Sequence, residues 1–166
     1  MADTVIRPAR TQDVRAIRGL VDFYSPDGRL LSKATVTLFE DIQEFLVAER
    51  DGEVVGCGAL HVMWEDLAEV RTVAVDPALA GQGIGSLLLT ALIQRAREVG
   101  VSKVFCLTFA VPFFERHGFT EVDDSPVDHD VYEQLLQSYD EGVAEFLGLE
   151  RVKPNTLGNH RMLAIL

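Results

Sequence analysis

Three glycines at alternate positions, Gly81, Gly83 and Gly85, stand between a strand-like run and the clearest helical pattern of the chain. The run ends at Asp76-Pro77, because proline has no N–H to continue a ladder. Across residues 84–99, Leu87, Leu88, Leu92, Ile93 and Ala96 share one face and Gln94, Arg95 and Glu98 the other, with Gly100 as a stop. Strand, glycine turn and helix start, in that order, offer open N–H groups at the positive end of a helix dipole, and glycine permits close approach. Such a segment holds an anion without basic side chains. Gly83-Ile84-Gly85-Ser86 lacks the lysine of a P-loop. A dinucleotide-binding turn sets its glycines tight against the strand, with an acid closing the next one. Here five residues intervene, and the next strand ends in Leu107-Thr108. A purely structural turn stays open as the alternative.

The 166 residues suit one domain, 1–166, and 48% hydrophobic with 25% charged residues is a globular balance. A formal net charge of −11 repels polyanions, which argues against nucleic acid as the main partner. No apolar run is long enough to span a bilayer, and residues 1–13 do not read as a signal peptide. No membrane partner and a cytoplasmic location are therefore expected. Cys57 and Cys106 stand alone in apolar runs, as small core residues do. Residues 117–150 contain no Lys or Arg but many acids, Glu121, Asp140 and Glu145 among them, the pattern of a solvated acidic face.

Other elements follow from periodicity and turn residues. A strand is expected at 5–9, then a helix capped by Thr11 with Val14, Ile17, Leu20, Val21 and Tyr24 on one face. Residues 25–33 break that helix, and a short helix is expected over 35–42. Asp51-Gly52 joins strands at 44–50 and 53–63 into a hairpin. Strands are expected at 68–75, 101–107, 118–122 and 161–166, helical turns at 112–117, and one helical stretch over 131–146. The fold class is α/β.

These residues resemble the GCN5-related N-acetyltransferase (GNAT) family. Its motif A is a strand, an Arg/Gln-x-x-Gly-x-Gly/Ala loop and a helix that cradles the coenzyme A pyrophosphate. Gly83 and Gly85 fill the two small positions, and Ala80 stands where Arg or Gln is usual. The family's later aromatic-x-x-x-Gly-Phe motif is matched by Phe114, Gly118 and Phe119, and the opening Ile6-Arg7-Pro8-Ala9-Arg10 is also typical. Leu30 to Lys33, residues 68–75, residues 104–108 and residues 158–163 further resemble the acetyltransferase domain of N-acetylglutamate synthases, in the short actinobacterial form. The resemblance implies a GNAT fold, a mixed and mostly antiparallel sheet flanked by helices. It implies acetyl transfer from acetyl-CoA to the α-amine of glutamate, the first step of arginine biosynthesis, by a homodimer.

The resemblance also distributes roles. Val73, Ala74, Val75, Gly81, Gln82, Gly83, Ile84, Gly85, Ser86, Phe113 and Arg116 would hold acetyl-CoA. A protonated α-amine needs a base, and Glu69 matches that position. A main-chain N–H near Val73 would take the oxyanion. Phe114 occupies the usual tyrosine position and cannot donate a proton, so Thr108 would serve the leaving thiolate. Lys33, Arg71, Asn159 and Arg161 would meet the substrate carboxylates. His61, His117 and His129 lack metal-ligand spacing, and no metal is assigned. Another amine, such as glutamine or a protein N-terminus, and a non-catalytic acyl-CoA-binding regulatory module stay open as alternatives.

Overall fold

The computed structural model describes residues 3–27, 30, 33–123, 127–147 and 159–166. The sheet is formed by β1 (Val5–Pro8), β2 (Phe45–Arg50), β3 (Glu53–Trp64), β4 (Leu67–Val75), β5 (Lys103–Thr108), β6 (Thr120–Glu121) and β7 (His160–Ile165). The strands run in the order β1-β2-β3-β4-β5-β7-β6. The helices are α1 (Val14–Tyr24), α2 (Thr35–Glu40), α3 (Ile84–Val99), α4 (Val111–Glu115), α5 (His129–Leu135) and α6 (Glu141–Leu147). This is the mixed α/β architecture with a mostly antiparallel sheet that the sequence implied. Contacts divide the chain into two units, 1–61 with 70–99, and 62–69 with 100–166.

In the first unit, Val14, Ile17, Leu20 and Val21 of α1 are buried against Leu38, Ile42, Phe45, Val47 and Cys57. The start of α1 differs from expectation. Thr11–Asp13 is a 3₁₀ turn, and Asp13 rather than Thr11 does the capping: its Oδ2 accepts the Arg10 N–H at 2.7 Å. The same carboxylate accepts from Arg7 Nη1 at 2.8 Å and Nη2 at 3.0 Å, while Arg7 Nε reaches Glu49 at 2.6 Å. Strand β1, strand β2 and the α1 entry are thus tied by one guanidinium. Asp51 and Gly52 turn the β2–β3 hairpin with φ of 53° and 79°, the mirror-image turn that suits strand twist. Glu44, expected in the strand, closes a 3₁₀ turn, where it meets His61 Nδ1 at 2.9 Å. Helix α3 lies directly on β3: a Cβ added at Gly58 would meet Leu92 Cδ1 at 2.8 Å, so the leucine would have to move to admit one.

In the second unit, Phe105 and Phe146 meet edge to face at 4.6 Å within a core that includes Met63, Leu67, Leu135, Val143 and Leu147. Strand β5 pairs in parallel with β4, Glu69 opposite Phe105, and antiparallel with β7, Leu107 opposite Arg161. The single helical stretch expected over 131–146 is instead two helices. Asp140 starts the second by accepting the Val143 N–H at 2.9 Å, a capping signal that the apolar periodicity hid. The strand expected at 118–122 shrinks to two residues, because Gly118 adopts φ 89° in the turn that closes α4. Glu145 also departs from the solvated acidic face: it is buried, at 7% exposure.

Candidate active site

The glycine turn behaves as its sequence requires. Pro77–Leu79 forms a 3₁₀ turn whose first N–H groups are steadied by Asp76, Oδ1 accepting from Ala78 N at 2.9 Å. Gly81 and Gly83 have φ of 80° and 82°, and a Cβ at either would meet nothing within 4 Å. The backbone is thus left-handed and open to solvent where α3 begins. Ile84 anchors the helix start in the core, while Gln82 is exposed and Gly85 and Ser86 are half-buried. N–H groups of the first turn of α3, at the positive end of its dipole, can therefore be reached by an anion.

The end of β4, carrying Val73, Ala74 and Val75, is held by two contacts that periodicity does not reveal. The Tyr24 hydroxyl donates to the Val75 carbonyl at 2.6 Å, and the buried Cys57 thiol donates to the Thr72 carbonyl at 3.4 Å. Thr72 has φ 57°, an uncommon conformation for a β-branched residue and a local strain at the strand position before Val73. Such a kink re-aims the backbone that follows. Arg71 and Lys33 are half-buried; the Lys33 carbonyl accepts from the Arg18 guanidinium.

In the second unit Glu69 is buried, at 3% exposure, on the part of β4 that pairs with β5. Burial and the nearby Glu69 charge together push the Cys106 thiol well above its ordinary value. Thr108 ends β5, and its Oγ1 accepts the Ala110 N–H at 2.8 Å, which orients the hydroxyl so that its own proton remains to be donated. Phe114 is core, edge to face with Phe113 and Phe119 at 5.2 Å each. Arg116 lies 6.0 Å from the Phe113 ring centre. Asn159 Nδ2 donates to Glu145 Oε1 at 3.4 Å. Arg161 donates from Nη1 to the Phe146 carbonyl at 2.5 Å and from Nη2 to the Glu145 carbonyl at 3.3 Å, so its guanidinium also satisfies the last turn of α6. The structure brings Asn159 and Arg161 together around Glu145, a buried acid the sequence did not single out.

A family model described as acetyltransferase (GNAT) matches residues 16–119. The chain is a GNAT acetyltransferase. An amino-acid acetyltransferase of Mycobacterium tuberculosis is 57% identical over 98% of this chain and 94% of its own. A crystal structure of a Mycobacterium tuberculosis protein in complex with CoA matches with a TM-score of 0.94 and 56% identity, covering 98% of this chain and 99% of that one. An N-acetylglutamate synthase from Neisseria gonorrhoeae, complexed with coenzyme A and N-acetyl-glutamate, matches with a TM-score of 0.79 and 26% identity; this chain spans 36% of it. As a GNAT enzyme, the protein transfers an acetyl group from acetyl-CoA to an amine. No helix among the described residues is long and apolar enough to cross a membrane.

Proposed function

We propose that this GNAT enzyme acetylates the α-amine of an amino acid, and that the amino acid is L-glutamate, which makes it an N-acetylglutamate synthase at the entry to arginine biosynthesis. The near full-length likeness to an amino-acid acetyltransferase carries this reading. The cradle at 81–86 receives the diphosphate of acetyl-CoA, and the backbone of Val73, Ala74 and Val75 receives its pantetheine amides. Phe113 and Arg116 of α4 contribute further contacts to the cofactor.

The chemistry follows from the groups present. An α-amine is mostly protonated near pH 7 and is then no nucleophile. Glu69, buried on β4, removes that proton through water. The free amine attacks the thioester carbonyl, and the Val73 N–H holds the oxyanion that forms. Collapse breaks the C–S bond, and the departing CoA thiolate, hydrogen-bonded by the Thr108 hydroxyl, takes up the proton that the newly acetylated nitrogen sheds. Lys33, Arg71, Asn159 and Arg161 select a substrate with two carboxylates. The working enzyme is a cytoplasmic homodimer. Incubation with acetyl-CoA and single amino acids, with the products identified by mass spectrometry, tests the assignment. N-acetylglutamate as the dominant product is expected; dominance of another acetylated amine, or no product at all, overturns it.

A further inference from the structure

Coenzyme A brings a diphosphate and a 3′-phosphate to a chain whose formal net charge is −11, so the cradle needs local positive charge as well as N–H groups. Segment 76–87 contains no Lys or Arg, and Ala80 stands exposed where an Arg or Gln is usual in motif A. The fold brings a cation to the loop from elsewhere. Arg50, the last residue of β2, donates from Nη1 to Gln82 Oε1 at 2.6 Å, while its Nε donates to Thr4 Oγ1 at 3.0 Å. Of the acids flanking Arg50, Glu49 accepts from Arg7, while Asp51 follows Arg50 in the turn and Glu53 stands opposite it in the hairpin.

We propose that Arg50 is the phosphate-binding cation of the glycine loop, taking the place that Ala80 leaves vacant in motif A. A guanidinium carries five N–H donors in a planar fork that matches phosphate oxygens. The bonds to Thr4 and Gln82 fix the fork at the loop, and this lowers the ordering cost of binding. Gln82 then acts as the strut that joins β2 to the cradle. Around Gly81 and Gly83 a Cβ would meet nothing within 4 Å, so no neighbouring atom crowds the loop at these two residues.

The proposal rests on the reading that coenzyme A is held at 81–86, and its test separates the two. Calorimetry with coenzyme A and with 3′-dephospho-coenzyme A is run on the wild type, R50Q, A80R and the R50Q/A80R double variant. Amide hydrogen exchange at 81–86 is followed in parallel. R50Q is expected to weaken coenzyme A about tenfold, the scale of one charge-assisted bond at an accessible site. A80R in that background is expected to restore most of the affinity. A loss shared by both ligands places Arg50 on the diphosphate, and a loss confined to coenzyme A places it on the 3′-phosphate. Unchanged affinity in R50Q, or a loss that A80R leaves unrepaired, overturns the role of Arg50 while the loop stays protected. Absence of protection at 81–86 in the wild type would overturn the loop assignment itself.

Discussion

Glu69 is a carboxylate with almost no solvent contact on a strand whose one other charged residue is Arg71, a costly placement for packing alone. Glu69→Gln preserves its shape and removes the base, so kcat is expected to fall 10²- to 10⁴-fold, about the span of general-base catalysis. The deficit shrinks at high pH, where free amine is plentiful; a pH–rate profile of unaltered shape would assign the base elsewhere. Tyr24 makes a different prediction, because its hydroxyl donates to the Val75 carbonyl and takes no part in the chemical step of this scheme. Tyr24→Phe removes one hydrogen bond, about 1 kcal/mol, and should raise the acetyl-CoA KM severalfold with little change in kcat. A kcat loss at constant KM would mean that Tyr24 acts in the chemical step. Among the cations, Lys33 offers the cleaner probe of substrate charge, since Arg161 also bonds the end of α6. Lys33→Ala should raise the glutamate KM by about ten- to hundredfold and leave acetyl-CoA untouched. Arg161→Ala should lower Tm as well, which a purely substrate-facing residue would not do.

The elements divide into those announced by local pattern and those set by partners far along the chain. Helix α3, the glycine turn and the hairpin at Asp51-Gly52 were legible because spacing, Gly and Pro act within a few residues. The cap of α1 differs from expectation because Asp13 accepts the Arg10 N–H while Arg7 on β1 holds its carboxylate, a contact that no periodicity encodes. The break between α5 and α6 was missed for a related reason: the apolar spacing runs on past the capping Asp140. At the site, the glycine turn was legible in the sequence, and Glu69 and Thr108 stand on β4 and at the end of β5, the elements expected for them. The φ of Thr72, the Tyr24 anchor and the reach of Arg50 to Gln82 were not legible, because each joins strands and loops distant in sequence. The Asp13 contacts carry a pH signature. Arg7, the main cause, holds the Asp13 carboxyl below its ordinary value, so the stabilisation is complete above the ordinary carboxylate range and is lost as pH falls through the lowered value. Asp13→Asn should cost about 2 kcal/mol at pH 7, and that gap should narrow as pH falls through the lowered carboxyl value. An equal gap at both pH values would show that shape, not charge, is what Asp13 contributes.

For the molecule as a whole, the formal charge of −11 sets the approach of an anionic cofactor. At low ionic strength the Debye length is about 30 Å and net repulsion dominates, whereas near 0.15 M it shrinks to about 8 Å and contacts such as the loop's N–H groups decide binding. Stopped-flow association of coenzyme A should therefore quicken from 10 to 150 mM salt; a slowing would mean that a local positive field outweighs the net charge. Strands β3 and β5 each carry one enclosed thiol. Cys57 is fully buried, with its thiol pushed up to about 12 by desolvation, and Cys106 is equally enclosed, at 1% exposure. Disulfide exchange needs an accessible thiolate, so an aromatic disulfide reagent has nothing to attack on the native chain. Colour developed during turnover then counts liberated coenzyme alone, and in denaturant the same reagent counts two sulfurs per chain, turning one dye into both a clock for catalysis and a gauge of unfolding.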